Sequence, residues 1–207
     1  IIRQGNILLD MVNQLLEMAK IKTRIESSKW VNDDIVAHTT MQVEAFRPYA
    51  SAKGTDLIVV SNERVMKVDF IPKYYERILV NLLSNGLKYA PQGGKIEIDL
   101  SHHNGAFTLL VSDNGEGISA KDLPHIFDEF YTGKSLGQSE TGTGIGLALV
   151  QKMVEAMNGT IAARNRKDGG AEFVITMPVK QKFEVEERLK ELDHFEPIAN
   201  LEFTKYD

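Results

Sequence analysis

The chain has 207 residues, 43% of them hydrophobic, a formal net charge of −5 and no cysteine. A chain of this size makes one large domain or one domain with appendages, with enough apolar side chains for an ordinary core and too many for a disordered chain. The acidic balance argues against nucleic acid as a partner of the fold as a whole, the missing cysteines exclude disulfide frameworks and thiolate metal sites, and no apolar run approaches the ~20 residues that cross a bilayer.

Taken in chain order, residues 1–28 read as one helix. Leu8, Met11, Val12, Leu15, Met18, Ala19 and Ile25 recur at spacings of three and four, and Leu9, Leu16 and Ile21 widen the stripe. So broad an apolar face needs other helices over it, which predicts one arm of a helical bundle. The plainer alternative is a helix packed on its own domain. Ser27-Ser28 ends the pattern. Ile1 enters it directly with no signal peptide, as in a piece cut from a longer chain.

Residues 29–180 alternate in period. Lys29-Trp30-Val31-Asn32 is a short strand candidate. Asp33-Asp34 starts a helix that runs to Lys53 and stops at Gly54. Strands are predicted over Asp56–Val60 and Val65–Asp69, either side of the turn signal Ser61-Asn62-Glu63. Pro72 opens a helix that ends at Ala90-Pro91. Lys95–His102 and Phe107–Asp113 flank Asn104-Gly105, a strong hairpin signal. A short helix over Leu123–Asp128, a polar stretch over Thr132–Gly142, a helix over Gly144–Met157 and strands over Thr160–Arg166 and Ala171–Met177 follow. Antiparallel hairpins with helices between them predict an α+β two-layer sandwich, its mixed, mostly antiparallel sheet covered by helices on one face. Residues 181–207 turn charged and read as a linker.

Three blocks carry chemistry. On the helix from Pro72, Asn81, Asn85 and Lys88 share a stripe beside the apolar one, offering amide oxygens for Mg²⁺ and an ammonium for phosphate. Asparagine in mid-helix costs roughly half a kcal/mol relative to alanine, which argues against chance placement of two. Asp113 ends an inward-running strand and meets Asn114-Gly115-Glu116-Gly117, where the glycines let the backbone turn and approach a flat base. A partly buried carboxylate needs a partner, and a purine amine is a good one. Thr141-Gly142-Thr143-Gly144-Ile145-Gly146-Leu147 strips side chains from a helix entrance and turns bare amides toward an anion. It is neither the dinucleotide fingerprint nor a Walker loop. Thr132–Gly142 is rich in Gly, Ser and Thr, as a segment that orders over bound nucleotide would be, and Lys134 within it could reach phosphate.

In this order the blocks resemble the catalytic and ATP-binding domain of the sensor histidine kinases of two-component systems. Asn81–Tyr89 is similar to the family's N box, Asp113–Gly117 to its G1 box, Phe127-Asp128-Glu129-Phe130-Tyr131 to its F box and Gly142–Leu147 to its G2 box, over residues 29–179. The resemblance implies a Bergerat-type fold shared with gyrase, mismatch-repair and heat-shock-chaperone ATPases, and ATP with Mg²⁺ as its ligands. It implies that Asn85, with Asn81 nearby, holds Mg²⁺, that Lys88 faces phosphate and that Tyr89 lines the nucleotide. Asp113 would bind the adenine amine beside Gly115 and Gly117. Gly142, Thr143, Gly144, Ile145, Gly146 and Leu147 would border the triphosphate, with Phe127 and Phe130 anchoring the lid.

Two departures stand out. Gly86 occupies a position where the family usually has alanine, which should weaken the helix by about 1 kcal/mol. The acceptor histidine is also missing. None of His38, His102, His103, His125 and His194 sits in a His-Glu or His-Asp segment with Thr-Pro. Residues 1–26 resemble the second helix of the dimerisation domain, so the first, acceptor-bearing helix would lie outside this chain.

The expected function is therefore transfer of the ATP γ-phosphoryl group to a histidine on that helix, in a homodimeric parent that passes the phosphoryl group to a response-regulator receiver domain. A membrane-anchored parent would hold this domain on the cytoplasmic side, with no membrane insertion by this chain. The fragment alone should bind ATP and show little or no self-phosphorylation. A chaperone- or gyrase-like ATPase and a nucleotide-binding scaffold that transfers nothing remain the alternatives.

Overall fold

A computed structural model of the chain describes residues 12–19, 21, 29–133 and 143–182. Residues 12–19 are helical (α1). There follow β1 (Val31–Asp34), α2 (Ile35–Lys53), β2 (Asp56–Ser61), β3 (Lys67–Phe70), α3 (Pro72–Tyr89), β4 (Lys95–His103) and β5 (Ala106–Asp113). A 3-10 turn at Leu123–His125 precedes α4 (Gly146–Ala156), β6 (Thr160–Asn165) and β7 (Ala171–Pro178).

Five strands form one sheet in the order β2-β4-β5-β7-β6, and β1 pairs with β3 in a small second sheet. Side chains on the large sheet alternate. Ile96, Ile98 and Leu100 on β4, Phe107, Leu109 and Val111 on β5, and Phe173, Ile175 and Met177 on β7 point into one core. The apolar faces of α3 and α4 cover that side, with Tyr75, Ile78, Leu79, Leu82 and Leu83 meeting Leu149, Val150, Met153 and Val154. This is the predicted sandwich.

Local signals explain most element ends. Asp34 caps α2 by accepting from Val36 N and also accepts from Met66 N, so one carboxylate ties the helix start to the strand beside it. Gly54 takes the left-handed conformation (φ 67°) and returns its N–H to the last turn of α2. Asn104 and Gly105 both have positive φ (52° and 77°), as the tight turn joining β4 to β5 requires.

The strands either side of Ser61-Asn62-Glu63 both form but do not pair with each other. β2 lies parallel to β4, and β3 pairs with β1. Leu57 is buried while Ile58 and Val60 are exposed, so β2 has one core face and serves as a sheet edge. β3 is buried over Val68, Asp69 and Phe70. Asn62 makes no turn to β3. Its side chain instead accepts from His102 N and donates to His102 O on β4.

Met18 and Ile21 join the core while Val12, Leu15 and Leu16 stay exposed, so this stretch packs on the domain by one side only. The rest of the helix expected over 1–28, and the linker from 183 onward, lie outside the described residues. Three of the histidines find carboxylate partners: His38 with Asp33 at 3.1 Å, His102 with Glu63 at 3.2 Å and His125 with Asp128 at 2.8 Å. His194 is outside the described residues.

Gly86 has a packing reason. A Cβ there would lie 2.8 Å from Ile96 Cδ1 and 3.3 Å from Ile96 Cγ1, so the missing methyl makes room for a fully buried isoleucine. Gly86→Ala should therefore stabilise the wild type by less than the ~1 kcal/mol of helix propensity, and by nearer the full amount when Ile96 is also shortened to valine. Urea denaturation of the double-mutant cycle checks this. An equal gain in both backgrounds would contradict it.

A candidate nucleotide site

The site begins with α3, whose apolar face is core and whose adjoining stripe is half-buried. Asn81, Asn85 and Lys88 lie on that stripe, and Tyr89 follows, exposed. Asn81 Nδ2 donates to Arg77 O one turn back, which turns its Oδ1 toward the start of α4. Asn85's carboxamide makes no hydrogen bond to any described residue. Lys88 Nζ stands 4.9 Å from the centroid of the Tyr89 ring, so the ammonium and the aromatic face form one feature.

Asp113 closes β5 beside the end of α3. It is buried, and its Oδ1 accepts from Gly115 N at 2.8 Å and from Ala171 N at 3.3 Å. Among the described residues nothing donates to Oδ2. The carboxylate is thus fixed by one oxygen and open at the other. Glycines make the approach feasible: a Cβ at Gly115 would come within 2.5 Å of Tyr89 O, and one at Gly170 within 1.9 Å of Asp113 O. A Cβ at Gly117 would come within 2.7 Å of Asn165 Oδ1. Asn165 Oδ1 accepts from Ile118 N at 2.7 Å and its Nδ2 donates to Ile118 O at 2.6 Å, in place of a strand neighbour.

The third wall is the start of α4. No side chain caps this helix. Thr143 Oγ1 accepts from Ile145 N and donates to Gln14 Oε1 at 2.8 Å, joining the glycine loop to α1. Glu17 on α1 also pairs with Arg77 of α3 at 3.3 Å. Ile145 is buried, anchoring the loop, while Gly146 and Leu147 are half-buried at its rim. Uncapped N–H groups and the positive end of the helix dipole suit an anion. A Cβ on Gly146 would sit 2.7 Å from Asn81 Oδ1, so only glycine lets α4 come this near the asparagine stripe.

Phe130 and Gly144 close the stem of the intervening segment. Phe130 N donates to Gly144 O at 2.9 Å, and both residues have positive φ (66° and 68°). For phenylalanine that backbone is strained. Phe127 packs against the core, whereas the Phe130 ring is exposed, so Phe130 is anchored through its backbone and not through its ring. Tyr131 donates its hydroxyl to Asp122 at 2.7 Å, which pushes the phenol above its ordinary range and holds the Asp122 carboxyl below its own. Lys134 and Gly142 lie outside the described residues.

The three blocks therefore converge. Several contributors to the site carried no local sequence signal: Gln14, Asn165, Gly170 and Ala171 reach it from 40 or more residues away in sequence. Gly170 is what lets the turn between β6 and β7 lie against Asp113.

A family model described as histidine kinase-, DNA gyrase B- and HSP90-like ATPase matches residues 71–181, and the chain belongs to that family. Among its relatives, the sensor protein KdpD of Clostridium acetobutylicum is 31% identical over 175 residues, covering 83% of this chain and 19% of KdpD. The sensor histidine kinase TmoS of Ectopseudomonas mendocina is 35% identical over 180 residues, covering 86% of this chain and 18% of TmoS. This chain thus spans about a fifth of the length of either relative. The catalytic domain of the histidine kinase ThkA superposes with a TM-score of 0.66 at 21% identity, covering 73% of this chain and 98% of that domain. Full-length ShkA in complex with AMPPNP does so with a TM-score of 0.73 at 24% identity, covering 85% of this chain and 36% of ShkA. The fold is that of histidine kinase catalytic domains. No helix among the described residues is long and apolar enough to cross a membrane.

Gly146→Ala should displace the Asn81 side chain and weaken ATP binding about tenfold or more while the fold persists. Calorimetric titration checks this, and wild-type affinity would contradict it.

Proposed function

We propose that this chain is the ATP-binding catalytic part of a sensor histidine kinase, and that it presents ATP to a histidine carried on a helix outside this chain. The observation that carries the reading is Asp113. One oxygen is held by two main-chain N–H groups and the other is open, in a buried position that tolerates a charge only with donors around it. An adenine amine supplies the missing donor, and an ionised acceptor makes such a bond strong.

From there the nucleotide extends along α3. Tyr89 lines it, Gly115 and Gly117 let the base lie close to the backbone, and Lys88 meets the phosphates. The glycine loop from Gly142 through Leu147, with Thr143, Gly144, Ile145 and Gly146, borders the triphosphate through its amides, and Lys134 adds a cation. Phe130 fixes the near end of this lid. Asn85, a hard oxygen donor without another described partner, would hold Mg²⁺, with Asn81 next to it. Held there, the ion would supply positive charge to offset what builds on the phosphate oxygens. In transfer, a histidine ring nitrogen attacks the γ-phosphorus, an N–P bond forms as the P–O bond to ADP breaks, and ADP leaves. The protein's part is positioning and charge neutralisation, with Asn85 and Lys88 closest to the transferred group.

The parent would act as a homodimer on the cytoplasmic side of a membrane, and a response-regulator receiver domain would accept the phosphoryl group from the histidine. The sequence similarity to sensor-kinase relatives supports that setting.

Mixing the chain with a separate acceptor-helix protein and radiolabelled ATP should give acid-labile label on the acceptor and almost none on this chain. Nucleotide binding with no transfer, or steady hydrolysis with ATP-driven dimerisation, would contradict the kinase reading. Asp113→Asn should weaken ATP binding by about 1.5–3 kcal/mol, read by calorimetry, and an unchanged affinity would remove Asp113 from the site. Asn85→Ala should reduce binding far more with Mg²⁺ than without it. Equal losses in both conditions would exclude the ligand role.

A further inference from the structure

The end of α3 that carries Lys88 and Tyr89 lacks the usual means of satisfying its last carbonyls. Ala90 closes the helix in an extended conformation with its N–H on Gly86 O, and Pro91 follows with no N–H to give. No glycine stands there to fold back as Gly54 does at the end of α2. The carbonyls of Leu87 and Lys88 are met instead from another element. Lys53 Nζ, the last residue of α2, donates to Leu87 O and, at 3.3 Å, to Lys88 O.

Two further contacts show what this grip controls. The chain leaving α2 runs beside the chain leaving α3, with Asp56 N donating to Gly94 O at 2.9 Å, so two helix C-termini end side by side. Their partial negative charges repel, and the Lys53 ammonium offsets the one at the end of α3. The next carbonyl, Tyr89 O, is the one against which Gly115 packs, at a distance that excludes a Cβ. The end of α3 is thus held by Lys53 on one side and by the turn after Asp113 on the other.

We propose that Lys53 is a positioning residue for the nucleotide. By holding the Leu87 and Lys88 carbonyls, it fixes the Lys88 ammonium, the Tyr89 ring and the Gly115 turn relative to Asp113. The inference deepens the nucleotide reading and rests on it. Lys53 touches no reacting atom. It acts through the helix end.

Calorimetric titration with ATP of Lys53→Met, Lys53→Gln and Lys53→Arg tests this, with the fluorescence of the single tryptophan, Trp30, reporting the fold. Lys53→Met keeps the aliphatic stem and loses the donors, and should bind ATP about tenfold more weakly. Lys53→Arg keeps a charged donor and should recover most of that loss, with Lys53→Gln between them. Wild-type affinity in Lys53→Met, or equal losses in the methionine and arginine variants, would overturn the proposal. Should Lys53→Met fail to fold, the other two decide: weaker binding in Gln than in Arg supports it, and equal binding overturns it. Asp113→Asn measured alongside separates the two readings. If Asp113→Asn also binds normally, the nucleotide site itself has failed. If Asp113→Asn loses affinity while Lys53→Met does not, only the role of Lys53 falls.

Discussion

A buried carboxylate with one oxygen bound and one open is the constraint on which this molecule turns. Asp113 sits at the end of a central strand, where sheet neighbours on both sides exclude water from much of its surface. Leaving a charge there unsupported would cost several kcal/mol, so the chain brings main-chain N–H groups to it from two directions. Each approach requires a glycine at a place where any side chain would collide. Gly115 passes over Tyr89 O, and Gly170 lies against Asp113 O. Much of the glycine content near this end of the sheet follows from that one residue.

Helix α3 couples the carboxylate to the rest of the site. One face is apolar and sealed against the sheet, so its position is set by core packing and cannot drift without opening cavities that cost about 2–5 kcal/mol for a leucine-sized gap. The neighbouring stripe inherits that rigidity and presents amides and an ammonium at fixed height. Helix α4 then approaches the same stripe with its bare N-terminus, as close as the lack of a side chain at Gly146 permits. Rigid walls on two sides contrast with the stem of the segment between them, which is closed by a strained Phe130 and a left-handed Gly144. The strain at Phe130 is held in place by its surroundings and not by local preference.

Much of this was readable from residue order because the signals are local. Asn104-Gly105 demanded a hairpin, Gly54 a helix stop, and the spacing of Asn81, Asn85 and Lys88 a common helical stripe. The partners of Asp113 were hidden, because Gly170 and Ala171 lie more than 55 residues away and only the fold brings them to it. The same holds for Asn165 on Ile118 and for Gln14 on Thr143. The parallel pairing of β2 with β4 was hidden for a related reason. A strand's hydrophobic pattern tells which face is buried, but not which neighbour lies beside it. Gly86 shows the limit of propensity alone, since its purpose is the volume of Ile96 on another element.

The most direct test is a crystal structure with a non-hydrolysable ATP analogue and Mg²⁺. The adenine amine should lie at about 3 Å from Asp113 Oδ2, the phosphates against the first amides of α4, and the metal at the Asn85 oxygen. A nucleotide bound elsewhere, or one whose base never approaches Asp113, would contradict it.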